Sequence, residues 1–248
     1  KGVLFKKGHI VREEDIPALL SVGKEHLFVW EKKEGILHEN EAAETLYKIS
    51  AGEHMHGSDI KEGKIELIAD CDGVLKIRRD ALLKVNSLGE MMIASRHGNF
   101  PVKTGDKIAG TRIIPLVIEE EKMQKACEVA GKEPIFRILP YQKKKAGIVT
   151  TGSEVYYHRI EDKFTPVVIE KLKECGVTEV KQIQCNDDHE MITEAIQTLI
   201  EDGSDLIVCT GGMSVDPDDR TPLAIKNACT EVVTYGAPVL PGAMFMLA

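Results

Sequence analysis

The chain has 248 residues, of which 43% are hydrophobic and 29% charged, with a net charge of −8. That length accommodates two domains of ordinary size, and the acidic balance argues against nucleic acid or an anionic membrane surface as a partner. No apolar run approaches the roughly 20 residues that a membrane-spanning helix needs, and six scattered cysteines without a Cys-x-x-Cys pair read as buried, reduced thiols of a cytoplasmic protein.

No secretory leader pattern is present. Lys1 opens the chain and an apolar run carries it to Ala248, so it reads as a fragment. In chain order, a short strand is expected at Val3, Leu4 and Phe5. Residues 13–22 follow as a helix with Gly23 at its C′ position, and residues 26–30 as a second strand. Residues 40–50 read as a helix with Ala43, Leu46, Tyr47 and Ile49 on one side. His54-Met55-His56 has a spacing that metal sites use, but two histidines need further ligands, and a surface loop is expected.

Strand signals dominate from 60 to 118: residues 65–69, 74–77, 91–94 and 113–118 are short apolar runs separated by Gly or Asp turns. Residues 79–88 read as a helical insert, and Thr104-Gly105-Asp106 as a hairpin turn leading into a strand at 107–109. A helix is expected over 119–129, its acidic start matching the positive end of the helix dipole, with Gly131 as its stop. One more strand is expected at 135–139. The polar, basic stretch Tyr141 to Lys145 reads as a linker, so residues 1–143 form a smaller, β-rich α+β region, divisible into two subdomains.

From Ala146 the pattern becomes β-α-β-α-β. Strands are expected at 146–150, 177–185, 206–209 and 232–235. The helix over 164–174 takes Thr165 as N-cap and Pro166 at N1, and the next begins at Asp187 with Glu190 completing a capping box. A third opens at Thr221-Pro222. The continuous apolar run Leu206-Ile207-Val208-Cys209 reads as a strand buried on both faces. This alternation predicts an α/β domain over 144–248, a three-layer parallel sheet with helices on both faces.

The chemistry concentrates at strand ends. Thr150-Thr151-Gly152-Ser153-Glu154 and Thr210-Gly211-Gly212 are turns that a parallel sheet brings to its carboxyl edge. Their backbone N–H groups, with hydroxyls from Thr151, Ser153 and Ser214, suit phosphate or carbonyl oxygens. Asp219 stands beside the second turn, with Asp216 and Asp218 before it; Asp162 precedes the 164–174 helix. Each also has a turn or cap role available. Together such carboxylates would hold Mg²⁺ against a phosphate. No Walker A loop, Gly-x-Gly-x-x-Gly or Ser-His-Asp pattern is present.

At these residues the chain resembles the molybdopterin-binding (MoeA/MogA-like) family. The resemblance rests on Thr151-Gly152-Ser153-Glu154, the Asp162 region, Asp187-Asp188, Thr210-Gly211-Gly212-Met213-Ser214-Val215 and Val239-Leu240-Pro241-Gly242. It covers residues 144–248 well and residues 1–131 more loosely, through Phe5-Lys6-Lys7-Gly8 and the stretch Val102 to Ala109. It implies a MogA-like fold, truncated at Ala248, and a role in molybdenum cofactor biosynthesis. The implied chemistry is MoeA-like transfer of molybdate into adenylylated molybdopterin, assisted by Mg²⁺. By position, Thr151, Gly152, Ser153, Thr210, Gly211, Gly212, Ser214, Pro241 and Gly242 would bind the pterin or nucleotide. Asp219 and Asp162 would be catalytic, and Glu154, Asp216 and Asp219 would serve the metal. A homo-oligomer is expected by the same resemblance. Asp218-Asp219-Arg220-Thr221-Pro222 is closer to the MogA type and to the competence-damage (CinA) family. That keeps two alternatives open: a Mg²⁺-dependent nucleotide pyrophosphatase and a non-catalytic pterin carrier.

Overall fold

A computed structural model describes residues 4–5, 11–26, 33–142, 144–214, 216 and 218–248. Of the strand expected at Val3 to Phe5, Leu4 and Phe5 are described and form a bend, while the strand expected at 26–30 falls outside these residues except for His26. The first helix is a 3-10 turn, Glu13–Asp15, running into α1, Ile16–Ser21. Strand β1 (Ile36–His38) leads into α2 (Glu39–Ser50), whose N-cap is His38: its ring nitrogen accepts from the Asn40 N–H at 3.2 Å.

Strands β2 (Met55–Gly57), β3 (Lys64–Ala69) and β4 (Gly73–Ile77) precede α3 (Arg79–Asn86). Then come β5 (Met91–Ser95), β6 (Pro101–Val102), β7 (Lys107–Ile113), β8 (Val117–Glu119), α4 (Glu120–Ala130) and β9 (Phe136–Pro140). The strand expected at 113–118 is two strands. Ile113 ends β7 and Val117 starts β8, with Pro115 between them, where a missing N–H cannot serve a ladder. The histidine pair is not merely loop: Met55 is buried in β2, and His56 pairs with Asp70 at 2.5 Å.

These strands make antiparallel sheets ordered β2-β3-β7-β5 and β6-β4-β9, plus the pair β1-β8. Leu46, Leu67, Leu75, Val85, Ile108 and Phe136 fill a core between them and α2, α3 and α4. It is the largest core among the described residues, so this region is not the smaller part of the chain.

From Lys145 the sheet becomes parallel. Strand β10 (Lys145–Thr151) is followed by a four-residue helix, α5 (Ser153–Tyr156), then α6 (Phe164–Glu174), β11 (Glu179–Cys185), α7 (His189–Glu201), β12 (Leu206–Thr210) and α8 (Thr221–Ala228). The order is β11-β10-β12, with β10 in the centre and paired on both sides. Side chains alternate along a strand. Ala146 and Ile148 therefore pack with Leu172 of α6, while Val149 packs with Ile192 and Leu199 of α7 and Ala224 of α8. Gly147 is required for the second packing, because a Cβ there would sit 2.7 Å from a methyl of Leu199.

Two expectations fail in this sheet. The fully buried strand is β10, not β12: Leu206 is 45% exposed and the rest of β12 half-buried, since it pairs with β10 alone among the described residues. Nor does the strand expected at 232–235 join the sheet. β13 (Thr234–Tyr235) pairs antiparallel with β14 (Met246–Leu247) as a separate ribbon beside α8. The six cysteines are unpaired; Cys185 is buried, Cys175 exposed and the others half-buried. Burial pushes the Cys209 thiol up to about 12 and the Cys185 thiol up to about 11. None of the helices among the described residues is long and apolar enough to cross a membrane.

Candidate functional site

Strands β10 and β12 run in parallel with Thr150 opposite Thr210, so both glycine turns leave the sheet at one edge. Gly211 has φ +91°, and a Cβ on it would collide with the carbonyl oxygen of Thr151. Gly212 has φ +56°, and its Cβ would lie 2.6 Å from Thr221 Oγ1. These positions need glycine twice over, for the positive φ and for the close approach.

The two threonines that end β10 point to opposite faces. Thr151 Oγ1 lies 3.0 Å from the buried Thr221 hydroxyl and donates to the Thr210 carbonyl at 3.2 Å, tying the start of α8 to both strand ends. Thr221 is thus N1 of α8 and not its N-cap, and Pro222 is N2. Thr150 Oγ1 sits 2.8 Å from Thr165 Oγ1 on the α6 face. Gln182 Nε2 reaches that cluster, 2.9 Å from each hydroxyl and 2.8 Å from Asp162 Oδ2.

Asp162, not Thr165, caps α6: its Oδ1 accepts from the N–H groups of Phe164 and Thr165, both at 3.0 Å. Burial acts to raise its pKa. The hydrogen bonds from Thr165, Gln182 and Phe164 outweigh that and hold the carboxyl below its usual range. A depressed folded pKa adds stability above the unfolded value near pH 4, and that stability is lost as pH falls through the folded value. An Asp162→Asn variant is therefore expected to show a flatter loss of stability below about pH 4 than the parent, measured by urea midpoints across pH.

The sequence pattern places Asp187 at the cap of α7, but Asp188 occupies it, accepting from the N–H groups of Glu190 and Met191. The cap is shifted by one residue. Asp187 instead reaches across to the first turn and accepts from the Ser153 N–H at 2.9 Å. The adjacent pair of aspartates is the only sequence signal of this role, and it does not say which one caps. Ser153 starts a helix of four residues, and Gly152 before it has φ +130°.

Asp219 is half-buried, and its Oδ2 is enclosed without a hydrogen-bond partner among the described residues; its N–H donates to the Asp216 carbonyl at 3.0 Å. Thr210 Oγ1 is likewise buried and without a partner among the described residues. Glu154, Ser214 and Asp216 are exposed. Pro241 and Gly242 lie in the loop between β13 and β14, bridged by the Ala237 N–H to the Ala243 carbonyl at 2.8 Å. The structure therefore gathers Thr151, Gly211, Gly212 and Thr221 tightly, while Asp162 is held on the α6 face of the sheet. No group of three His, Cys, Asp or Glu side chains fit to hold a metal ion is found among the described residues.

Residues 147–247 match the family model described as "Probable molybdopterin binding domain", in agreement with the resemblance read from the motifs. This part of the chain is thus similar to domains of the molybdopterin-binding class. Residues 1–31 match a model described as a domain of unknown function. Among curated proteins, a CinA-like protein of Mycobacterium avium (strain 104) is 34% identical over 95 residues, covering 38% of this chain and 22% of that protein. A CinA-like protein of Mycobacterium tuberculosis (strain ATCC 25618 / H37Rv) is 35% identical over 85 residues, covering 34% and 20%. The chain thus spans about a fifth of the length of these relatives. Among solved structures, the tungsten cofactor synthesizing protein MoaB from Pyrococcus furiosus is 26% identical, with 38% of this chain and 57% of that one covered and a TM-score of 0.35. The moeA protein from Pyrococcus horikoshii OT3 covers 85% of this chain and 71% of its own at 14% identity and a TM-score of 0.30.

Proposed function

We propose that residues 144–248 form a MogA-like domain that binds molybdopterin at the edge made by Gly211, Gly212 and Asp219. On this reading the chain serves molybdenum cofactor biosynthesis by MoeA-like insertion of molybdate into adenylylated molybdopterin. The observation that carries it is the second turn itself. Two glycines approach Thr151 and Thr221 so closely that any side chain would collide, and Asp219, which follows in the same loop, keeps an enclosed carboxylate oxygen with no hydrogen-bond partner among the described residues. Buried polar atoms are nearly always hydrogen-bonded, so an orphaned one in the loop that follows these glycines points to a ligand. The family match over the same residues supports the ligand class.

The donors do not gather into a Mg²⁺ cage. Asp162 is committed to α6 and Gln182, and Glu154 and Asp216 are exposed. Mg²⁺ is commonly held by one or two carboxylates with phosphate oxygens and water completing its shell. Asp219 would supply one such carboxylate. The protein's own part is to orient: backbone groups of Gly211 and Gly212 face the ligand, and the Thr151–Thr221 hydroxyl pair keeps their turn in place.

The test is calorimetric titration of molybdopterin into the parent protein and an Asp219→Asn variant, with and without Mg²⁺. Saturable binding by the parent, weakened about tenfold or more in the variant, is the expected result. A folded parent that does not bind molybdopterin would overturn the reading. The CinA-like relatives favour a second reading, a nucleotide pyrophosphatase using the same edge. Mg²⁺-dependent release of AMP from ADP-ribose would move it to first place. We also propose a homo-oligomer, which light scattering after gel filtration would test.

A further inference from the structure

A second region of the molecule has the features of a binding site and shares no residue with the glycine turns. On the outer side of β4 and β9 lies a groove of about 500 Å³, within the size range of small-molecule sites. The register sets Lys76 of β4 directly opposite Arg137 of β9. Like charges facing each other across an antiparallel pair destabilise it. In a chain of net charge −8, carboxylates to neutralise them are abundant, yet neither cation has an ion-pair partner among the described residues. Among the described residues Lys76 donates only to the amide oxygen of Asn99, at 2.5 Å. Arg137 is exposed, and among the described residues nothing hydrogen-bonds or ion-pairs with its guanidinium.

The third cation of the groove behaves differently. Arg78 Nη1 donates to the carbonyls of Ala130 at 2.8 Å and Glu133 at 2.5 Å, and Nε lies 3.8 Å from the Glu133 carboxylate. It closes the end of α4, with its Nη1 committed there. The groove's other carboxylate, Glu53, is exposed. Ile77, Pro134 and Leu139 add apolar walls beside Lys76 and Arg137.

We propose that this groove is a ligand site for a phosphate-bearing small molecule, whose anionic group sits between Lys76 and Arg137 and whose body rests on Ile77 and Leu139. A guanidinium offers two parallel N–H donors to phosphate oxygens, and an ammonium beside it suits a third oxygen. A bound dianion removes the Lys76–Arg137 repulsion that the sheet otherwise carries. The site is independent of the molybdopterin reading, because its residues belong to β4, β9 and their flanks.

The probe is inorganic pyrophosphate, titrated calorimetrically into the full chain at low salt and followed by its effect on the heat-unfolding midpoint. Pyrophosphate is expected to bind the parent, to raise its midpoint, and to weaken with added salt. Arg137→Gln and Lys76→Gln each lose affinity about tenfold or more, whereas Asp219→Asn keeps it within about twofold. Without pyrophosphate, Arg137→Gln unfolds at or above the parent's midpoint, which shows that the loss is not misfolding. Equal affinity in Arg137→Gln, loss of affinity in Asp219→Asn, or no binding at millimolar pyrophosphate would each overturn the proposal. Displacement of pyrophosphate by micromolar glutamate-rich peptide would reassign the groove to an acidic protein segment and overturn it as well.

Discussion

Gly211→Ala is expected to lose ligand binding altogether and to destabilise the parallel-sheet region by about 2–4 kcal/mol. Two independent effects add. The residue holds φ +91°, where an L side chain is strained, and the new methyl meets the carbonyl oxygen of Thr151. That oxygen belongs to the last residue of the central strand, which is in register with Cys185 of β11, so it cannot move aside without disturbing that pairing. The turn has to move instead, carrying Gly212 away from Thr221 and Asp219 away from the edge. Urea unfolding measures the first effect, and titration with molybdopterin measures the second. A variant with the parent's midpoint and affinity would show that the turn is not as rigid as its packing implies. Gly23→Ala makes a useful control, since that glycine also has positive φ, but an added methyl there would meet nothing within 4 Å.

Phe136→Ala is expected to cost about 3–5 kcal/mol, the range for truncating a large buried aromatic side chain. Phe136 is fully buried in the core shared by α2, α3, α4 and the antiparallel sheets. The buried clusters of that core and of the parallel sheet have no residue in common. If residues 1–143 and 144–248 are two domains, as we propose, the loss is confined to the first. Hydrogen exchange is then expected to quicken across β3, β7 and β9 while β10 and α7 keep their protection. Uniform acceleration along the whole chain would show one cooperative unit.

Much of the secondary structure is legible in the sequence because it is locally encoded. Residues 40–50 carry helical spacing, and α2 covers Glu39–Ser50. Residues 146–150 carry a β-branched apolar run, and β10 spans them. The family resemblance comes from turns whose geometry admits glycine, and those turns do close one edge of a parallel sheet.

Other features are not legible, and each miss has the same kind of cause. Leu206 to Cys209 reads as buried as Gly147 to Thr150, but strand order decides burial, and order depends on which strands pair. Asp187 and Asp188 look alike in sequence; one caps α7 and the other crosses to Ser153, a choice made 34 residues away. Thr165 reads as a cap, yet its hydroxyl is spent on Thr150 and Gln182, partners from two other elements.

The sequence by itself determined the repertoire of this protein: alternating strands and helices after residue 145, glycines where backbone must approach backbone, and carboxylates near strand ends. Only the tertiary structure decided which of those carboxylates is free. Side-chain alternation along β10 sends Thr150 toward Asp162 and Thr151 toward Thr221, and the polar atoms of α6 and Gln182 then satisfy Asp162. Asp219 meets no such partner among the described residues and keeps a buried oxygen unpaired there. Whether a carboxylate is spent or available depends on the atoms within about 3 Å of it, and those come from distant parts of the chain.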